Sequence, residues 1–201
     1  MNRALKVLMA GGLVGLAGLA VRAQQPQVDM EQLTKAMQAL SGAQAGQTPV
    51  AVVDFRELKA LLPESLDGFK RTNASGEKNT TMGITLSQAN ATYEATDGGN
   101  VTIKISDNGG MGGLMAFAQA AWASSEIDRE TDTGFERTAT YKGHKTHEEY
   151  DREERSGKID AIIGGRFNVE IQGYQVAWES LQAALGQLDM DKLAGLKPAA
   201  P

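Results

Sequence analysis

His144 and His147 are the only histidines of this 201-residue chain, and Glu148 and Glu149 follow directly. Imidazole and carboxylate are zinc-type ligands, so these two histidines are the candidate metal ligands that residue type offers. Their spacing argues against chelation. On a strand, positions i and i+3 send two rings to opposite faces, whereas helical zinc motifs use i and i+4. Two ligands also fall short of the three or four that a zinc site needs. The mixed charges of residues 148–155 suit a solvated edge hairpin instead. The expectation is a site with no metal and no cofactor.

Other short motifs fare no better as chemistry. Asp132-Thr133-Gly134 copies the tripeptide of aspartic proteases, whose mechanism needs two carboxylates sharing a proton in a buried site. No second such tripeptide occurs, and Glu130-Thr131 stands where an apolar strand belongs, so a polar turn is expected. Gly109-Gly110-Met111-Gly112-Gly113 lies between a predicted strand and a predicted helix, where backbone N–H groups can cradle an anion. Met115 occupies the place of the third glycine of the dinucleotide fingerprint, and a flexible connection explains the run. Ser156-Gly157-Lys158 lacks the upstream P-loop glycine and reads as a turn. Arg166, next to Phe167 on a predicted strand, takes Glu170 on the same strand face as its expected ion-pair partner. Nothing resembles a nucleophile elbow, and no catalytic residue is assigned.

The elements that would carry these residues are written more clearly. Val28-Asp29-Met30-Glu31-Gln32-Leu33 and Val53-Asp54-Phe55-Arg56-Glu57-Leu58 each place an aspartate N-cap behind a hydrophobic staple residue. Pro63 stops the second of these helices. The first helix carries Met30, Leu33, Met37 and Leu40 as one apolar stripe, followed by a Gly/Ala/Gln-rich linker over residues 41–49. Residues 80–95 then read as extended, and Asp97-Gly98-Gly99-Asn100 as a hairpin turn. Val101, Ile103 and Ile105 alternate with polar residues on the next strand. A helix with Leu114, Phe117, Ala118, Ala121 and Trp122 on one face comes next. A four-strand meander follows over 135–141, 144–150, 159–163 and 167–171, broken at Lys142-Gly143, Ser156-Gly157 and Gly164-Gly165. A last helix turns Trp178, Leu181, Leu185 and Leu188 toward the core, and Gly195 and Pro198 end it. The predicted fold is α+β: an antiparallel sheet of about six strands packed by helices.

Composition bounds the setting. Arg3 and Lys6 precede an uncharged, mostly apolar run over residues 7–20, and Val21-Arg22-Ala23 fits a signal-peptidase site. The run is 14 residues long and carries Gly11, Gly12, Gly15 and Gly18, short of the roughly 20 apolar residues that span a bilayer. Residues 1–23 are therefore expected to be a cleaved Sec-type signal peptide, with export to a bacterial periplasm and no stable membrane anchor. Of the 20 basic side chains Arg3, Lys6 and Arg22 leave with it, so 17 face 25 acidic ones, a net charge near −8. That balance opposes nucleic-acid binding, which relies on clustered Lys and Arg. With no cysteine, disulfides, thiol catalysis and thiolate metal sites are excluded.

The expected organisation is a signal peptide over 1–23, a helix and linker over 24–49, one α+β domain over 50–196 and a frayed tail over 197–201. The element order, with Leu61-Leu62-Pro63-Glu64-Ser65-Leu66-Asp67-Gly68-Phe69 and Gly164-Gly165-Arg166-Phe167-Asn168-Val169, resembles uncharacterised periplasmic proteins of the Mog1/PsbP-like fold. The resemblance runs from about Asp54 to Leu193 and implies a non-catalytic role. The expected function is an exported, non-enzymatic accessory or binding protein. Its partner is an envelope protein or a second copy, with Met30, Leu33, Met37 and Leu40 as docking candidates. A metal- or small-ligand-binding module and a hydrolase without a local signature are the alternatives.

Overall fold

The computed structural model describes residues 51–81, 84–111, 121, 122 and 124–198. The described chain opens with α1 (Phe55–Lys59), where Asp54 caps as expected, its carboxylate accepting the Arg56 N–H at 2.8 Å. Four strands follow: β1 (Ser65–Leu66), β2 (Phe69–Thr81), β3 (Ile84–Glu94) and β4 (Asn100–Asp107). After a short 3-10 turn at Gly109–Met111 come β5 (Asp128–Glu130), β6 (Gly134–Tyr141), β7 (His144–Asp151), β8 (Ser156–Ile163) and β9 (Phe167–Tyr174). Two helices close the domain, α2 (Trp178–Gly186) and α3 (Met190–Gly195).

All nine strands form one sheet in the order β1-β2-β3-β4-β9-β8-β7-β6-β5, and every pairing is antiparallel. The α+β class with an antiparallel sheet therefore holds, while the sheet has nine strands where the sequence suggested about six. The additional strands are β1, β2 and β5. The long β2 lacks apolar alternation because it lies near the sheet edge with most of its side chains in solvent. Three boundaries also move. The β7–β8 loop occupies 152–155, so Ser156 and Gly157 begin β8 and do not form the turn. The final helix is two helices, because Asp189 accepts the Lys192 N–H at 2.9 Å and starts a new one. Arg166 stands before β9, not on it.

Two of the hairpin connections place consecutive residues in left-handed backbone. Lys142 and Gly143 have φ of 47° and 80°, the twist that a two-residue hairpin requires, and they set Tyr141 opposite His144. Gly164 and Gly165, at 57° and 64°, do the same work ahead of Arg166.

The three helices α1, α2 and α3 lie on one face of the sheet. Ala89, Ala91, Tyr93, Val101, Ile103, Ile105, Ile159, Ala161, Ile163, Phe167, Val169 and Ile171 are buried there, under Leu58 of α1, Leu181 and Leu185 of α2, and Leu193 of α3. Phe135, Tyr150 and Trp178 form an aromatic cluster on the same side, with Phe135 and Trp178 edge-to-face at 5.0 Å. Gly157 makes room for it: a Cβ there would sit 2.5 Å from the Glu149 carbonyl and 2.7 Å from the Tyr150 ring. On this face the sheet is packed to contact. The opposite face carries the polar residues of the same strands.

Candidate functional site

Strand alternation places Thr102, Gln172, Lys158, Glu149 and Glu136 on the face away from α1–α3. Antiparallel register then aligns them. Thr102 is opposite Gln172, Gln172 opposite Lys158, Lys158 opposite Glu149, Glu149 opposite Glu136, and Glu136 opposite Arg129. One continuous row of polar side chains thus crosses β4, β9, β8, β7, β6 and β5. With strands spaced about 4.8 Å apart, the row is about 24 Å long. It floors an open trough of 610 Å³ whose rim includes Asn100, Asp151, Ser156 and Tyr174.

A second row lies beside it, running Lys104, Glu170, Asp160, His147 and Thr138. The two rows neutralise each other diagonally. Lys158 Nζ stands 2.8 Å from Asp160 Oδ2 and 3.7 Å from Glu170 Oε2. Glu136 would be repelled by Glu149 directly opposite, and it is held by Arg129 at 3.0 Å and by His147 at 3.2 Å. Burial pushes the Asp160 carboxyl up from its ordinary value, and Lys158 offsets only part of that. Burial also opposes the Lys158 charge, yet its pKa rises, because Asp160 and Glu170 together outweigh the desolvation. The two shifts are consistent: the lysine faces two acids, while burial and the second acid Glu170 outweigh what Lys158 and the opposed His147 do for Asp160.

His144 and His147 do point to opposite faces. His144 is in register with Tyr141 on the helix-covered side, and His147 with Thr138 on the polar side, where the Trp122 ring meets it edge-on at 6.0 Å. Among the described residues no group of three or more His, Asp or Glu is arranged to hold a metal ion. Asp132 sits in an exposed turn closed by the Thr131 N–H to Gly134 carbonyl bond at 2.9 Å. The Gly109 N–H is already donated to Asp107 at 2.8 Å, so it points at an internal carboxylate. Gly112 and Gly113, the stripe of Met30, Leu33, Met37 and Leu40, and the apolar run over 7–20 lie outside the described residues.

The expected Arg166–Glu170 pair is not formed. Arg166 binds Asp107 through two parallel bonds, Nε to Oδ1 at 2.8 Å and Nη2 to Oδ2 at 2.7 Å, while Glu170 serves Lys158. Arg166 leaves the strand before β9 begins, and Asp107 is the last residue of β4 beside it. Asp107 is fully buried and also accepts the Val53 N–H at 2.7 Å. Arg166 reaches on to the Ala51 carbonyl at 2.8 Å. This carboxylate therefore ties together the entry to α1, the end of β4, the glycine turn and the β8–β9 loop. Its donors are all internal, which marks it as structural. Sequence reasoning missed Asp107 and the place of Thr102, since both depend on the non-sequential pairing of β4 with β9; it also left unread the rest of the row, which rests on the consecutive pairings of β5 to β9.

Among the described residues no helix is long and apolar enough to cross a membrane. The chain matches no family model, no curated protein and no solved structure.

Proposed function

We propose that this chain is an exported, periplasmic, non-enzymatic accessory protein that binds an envelope component on the polar face of its sheet. The observation that carries the reading is the six-residue row from Thr102 to Arg129 flooring an open trough. A polar sheet face with converging donors and acceptors suits recognition, and pockets of several hundred Å³ are of ligand-binding size. Its two cations are matched, Arg129 by Glu136 and Lys158 by Asp160, while Glu149 stays open to a partner's donors. Export is supported by the basic start, short apolar run and Val-Arg-Ala site of residues 1–23. The antiparallel sheet between an N-terminal helix and a C-terminal helix pair is in keeping with a Mog1/PsbP-like arrangement. The Met30, Leu33, Met37 and Leu40 stripe supplies a second, adaptable contact to the same partner.

Osmotic-shock fractionation with intact-mass measurement, followed by in-cell crosslinking, tests the reading. The expected result is a released protein beginning at Gln24 that is captured with an envelope component. A protein retained in the cytoplasm with residues 1–23 intact, and with no captured component, would overturn it.

A further inference from the structure

The chemistry of the trough narrows what it can hold. Its two cations are already matched, Arg129 by Glu136 at 3.0 Å and Lys158 by Asp160 at 2.8 Å. Glu149, in the middle of the row, is exposed and shows no ion pair or side-chain hydrogen bond. Asp151 and Glu154 add negative charge at the rim. An anionic ligand would therefore meet repulsion with no cation to spare. A purely apolar ligand would strand Thr102, Gln172, Glu149 and Lys158 away from water, at the cost of their unmade hydrogen bonds.

One apolar feature is present. Tyr174, at the end of β9 and opposite Asn100, is 53 % exposed and is the large hydrophobic side chain left open to solvent among the described residues. It stands on the same face as Gln172 and lines the trough. An aromatic face beside planar amide, carboxylate and hydroxyl groups matches a ligand with hydroxyls on its edges and a C–H surface on one side. A peptide strand fits less well. Peptides extend sheets at open edges, here the outer edge of β5 at the end of the row, whereas the strands under the trough floor, β4, β9, β8, β7 and β6, are paired on both sides.

We infer that the trough binds a neutral oligosaccharide, with Tyr174 as the stacking platform and Gln172, Glu149 and Thr102 as hydrogen-bonding groups. This deepens the binding reading and rests on it. The length of the row, about 24 Å, accommodates several sugar rings laid across the strands.

The test titrates the full chain with maltotetraose, cellotetraose and tetra-N-acetylchitotetraose, with inorganic phosphate and a neutral tetrapeptide as controls, and follows amide chemical shifts. At least one tetrasaccharide should give saturable shifts centred on Thr102, Glu149, Gln172 and Tyr174, and neither control should. Tyr174→Ala should weaken that binding about tenfold, the loss of one aromatic contact, while Tyr174→Phe stays within about twofold. Both variants should keep the parent melting temperature, because Tyr174 is exposed. Saturation by none of the three sugars, shifts centred elsewhere, equal affinity in Tyr174→Ala, or binding of the peptide or phosphate instead would each overturn the assignment. If the sugars fail while in-cell crosslinking still captures an envelope component, the saccharide falls and the binding reading stands. If both fail, both fall.

Discussion

Asp107 and Asp160 are aspartates on paired halves of one sheet, both withdrawn from solvent, and they do opposite things. Asp107 ends β4 on the helix-covered side and collects two backbone N–H groups and both prongs of Arg166. Asp160 lies mid-strand on the polar side, where one lysine is its cation and a second carboxylate competes for it. The lesson is that burial alone does not set the role of a charge. A carboxylate that owns all its donors clamps a fold, whereas one that shares its lysine with a second carboxylate keeps a raised pKa beside the trough.

The largest effect is expected at Asp107. Asp107→Asn turns one end of the carboxylate into a donor facing Arg166 or the backbone amides. It should cost about 3 kcal/mol in denaturant unfolding, the low end for breaking a buried pair, because Arg166 keeps some access to water. A loss under about 1 kcal/mol would mean that Asp107 does not clamp the fold, since surface changes fall in that range.

The difference in packing comes next. Gly157→Ala drives a methyl into the Glu149 carbonyl and should cost about 2 kcal/mol, the usual penalty of overpacking. Gln172→Ala, on the open face, should stay within about 0.5 kcal/mol of the parent. Similar losses for the two would contradict the contrast between a packed face and an open one.

Asp160 sharpens the comparison through pH. Its folded pKa lies above the unfolded value near 3.8, so between the two the folded state holds more protons. Stability contributed by this group is then greatest below the unfolded pKa and declines as pH rises toward the folded one. Asp160→Asn should remove that decline, gaining on the parent as pH is raised from about 3 toward neutrality. Chemical unfolding at several pH values measures this. A variant that loses ground as pH rises would reverse the sign and refute the argument. The smallest expected effect is that of metal removal: a chelator should leave the melting temperature unchanged, because His144 and His147 face opposite sides. A drop restored by one equivalent of zinc would contradict it.

Legibility followed burial and sequence distance. Val101, Ile103 and Ile105 announced β4 because one face is dry, whereas Phe69–Thr81 hid β2 because its side chains are mostly wet. The Lys142-Gly143 turn fixes the β6–β7 register, so Glu136 opposite Glu149 followed from local signals. Thr102 opposite Gln172 and Asp107 beside Arg166 did not, since they are joined by a pairing of segments 59 or more residues apart. The partner assigned to Arg166 was wrong for that reason. Glu170 was its neighbour along the strand, and Asp107 became its neighbour only in space. Likewise, a stripe from Trp178 to Leu188 looks continuous in sequence, while the capping carboxylate of Asp189 restarts the helix.

On the proposed reading the polar face, and not the helix layer, meets the partner. Site-specific photo-crosslinking in intact cells tests it, with the photoreactive residue placed at Gln172 in the trough or at Lys192 on α3. An adduct is expected from position 172 and none from position 192. An adduct from 192 alone, or equal capture from both, would contradict it.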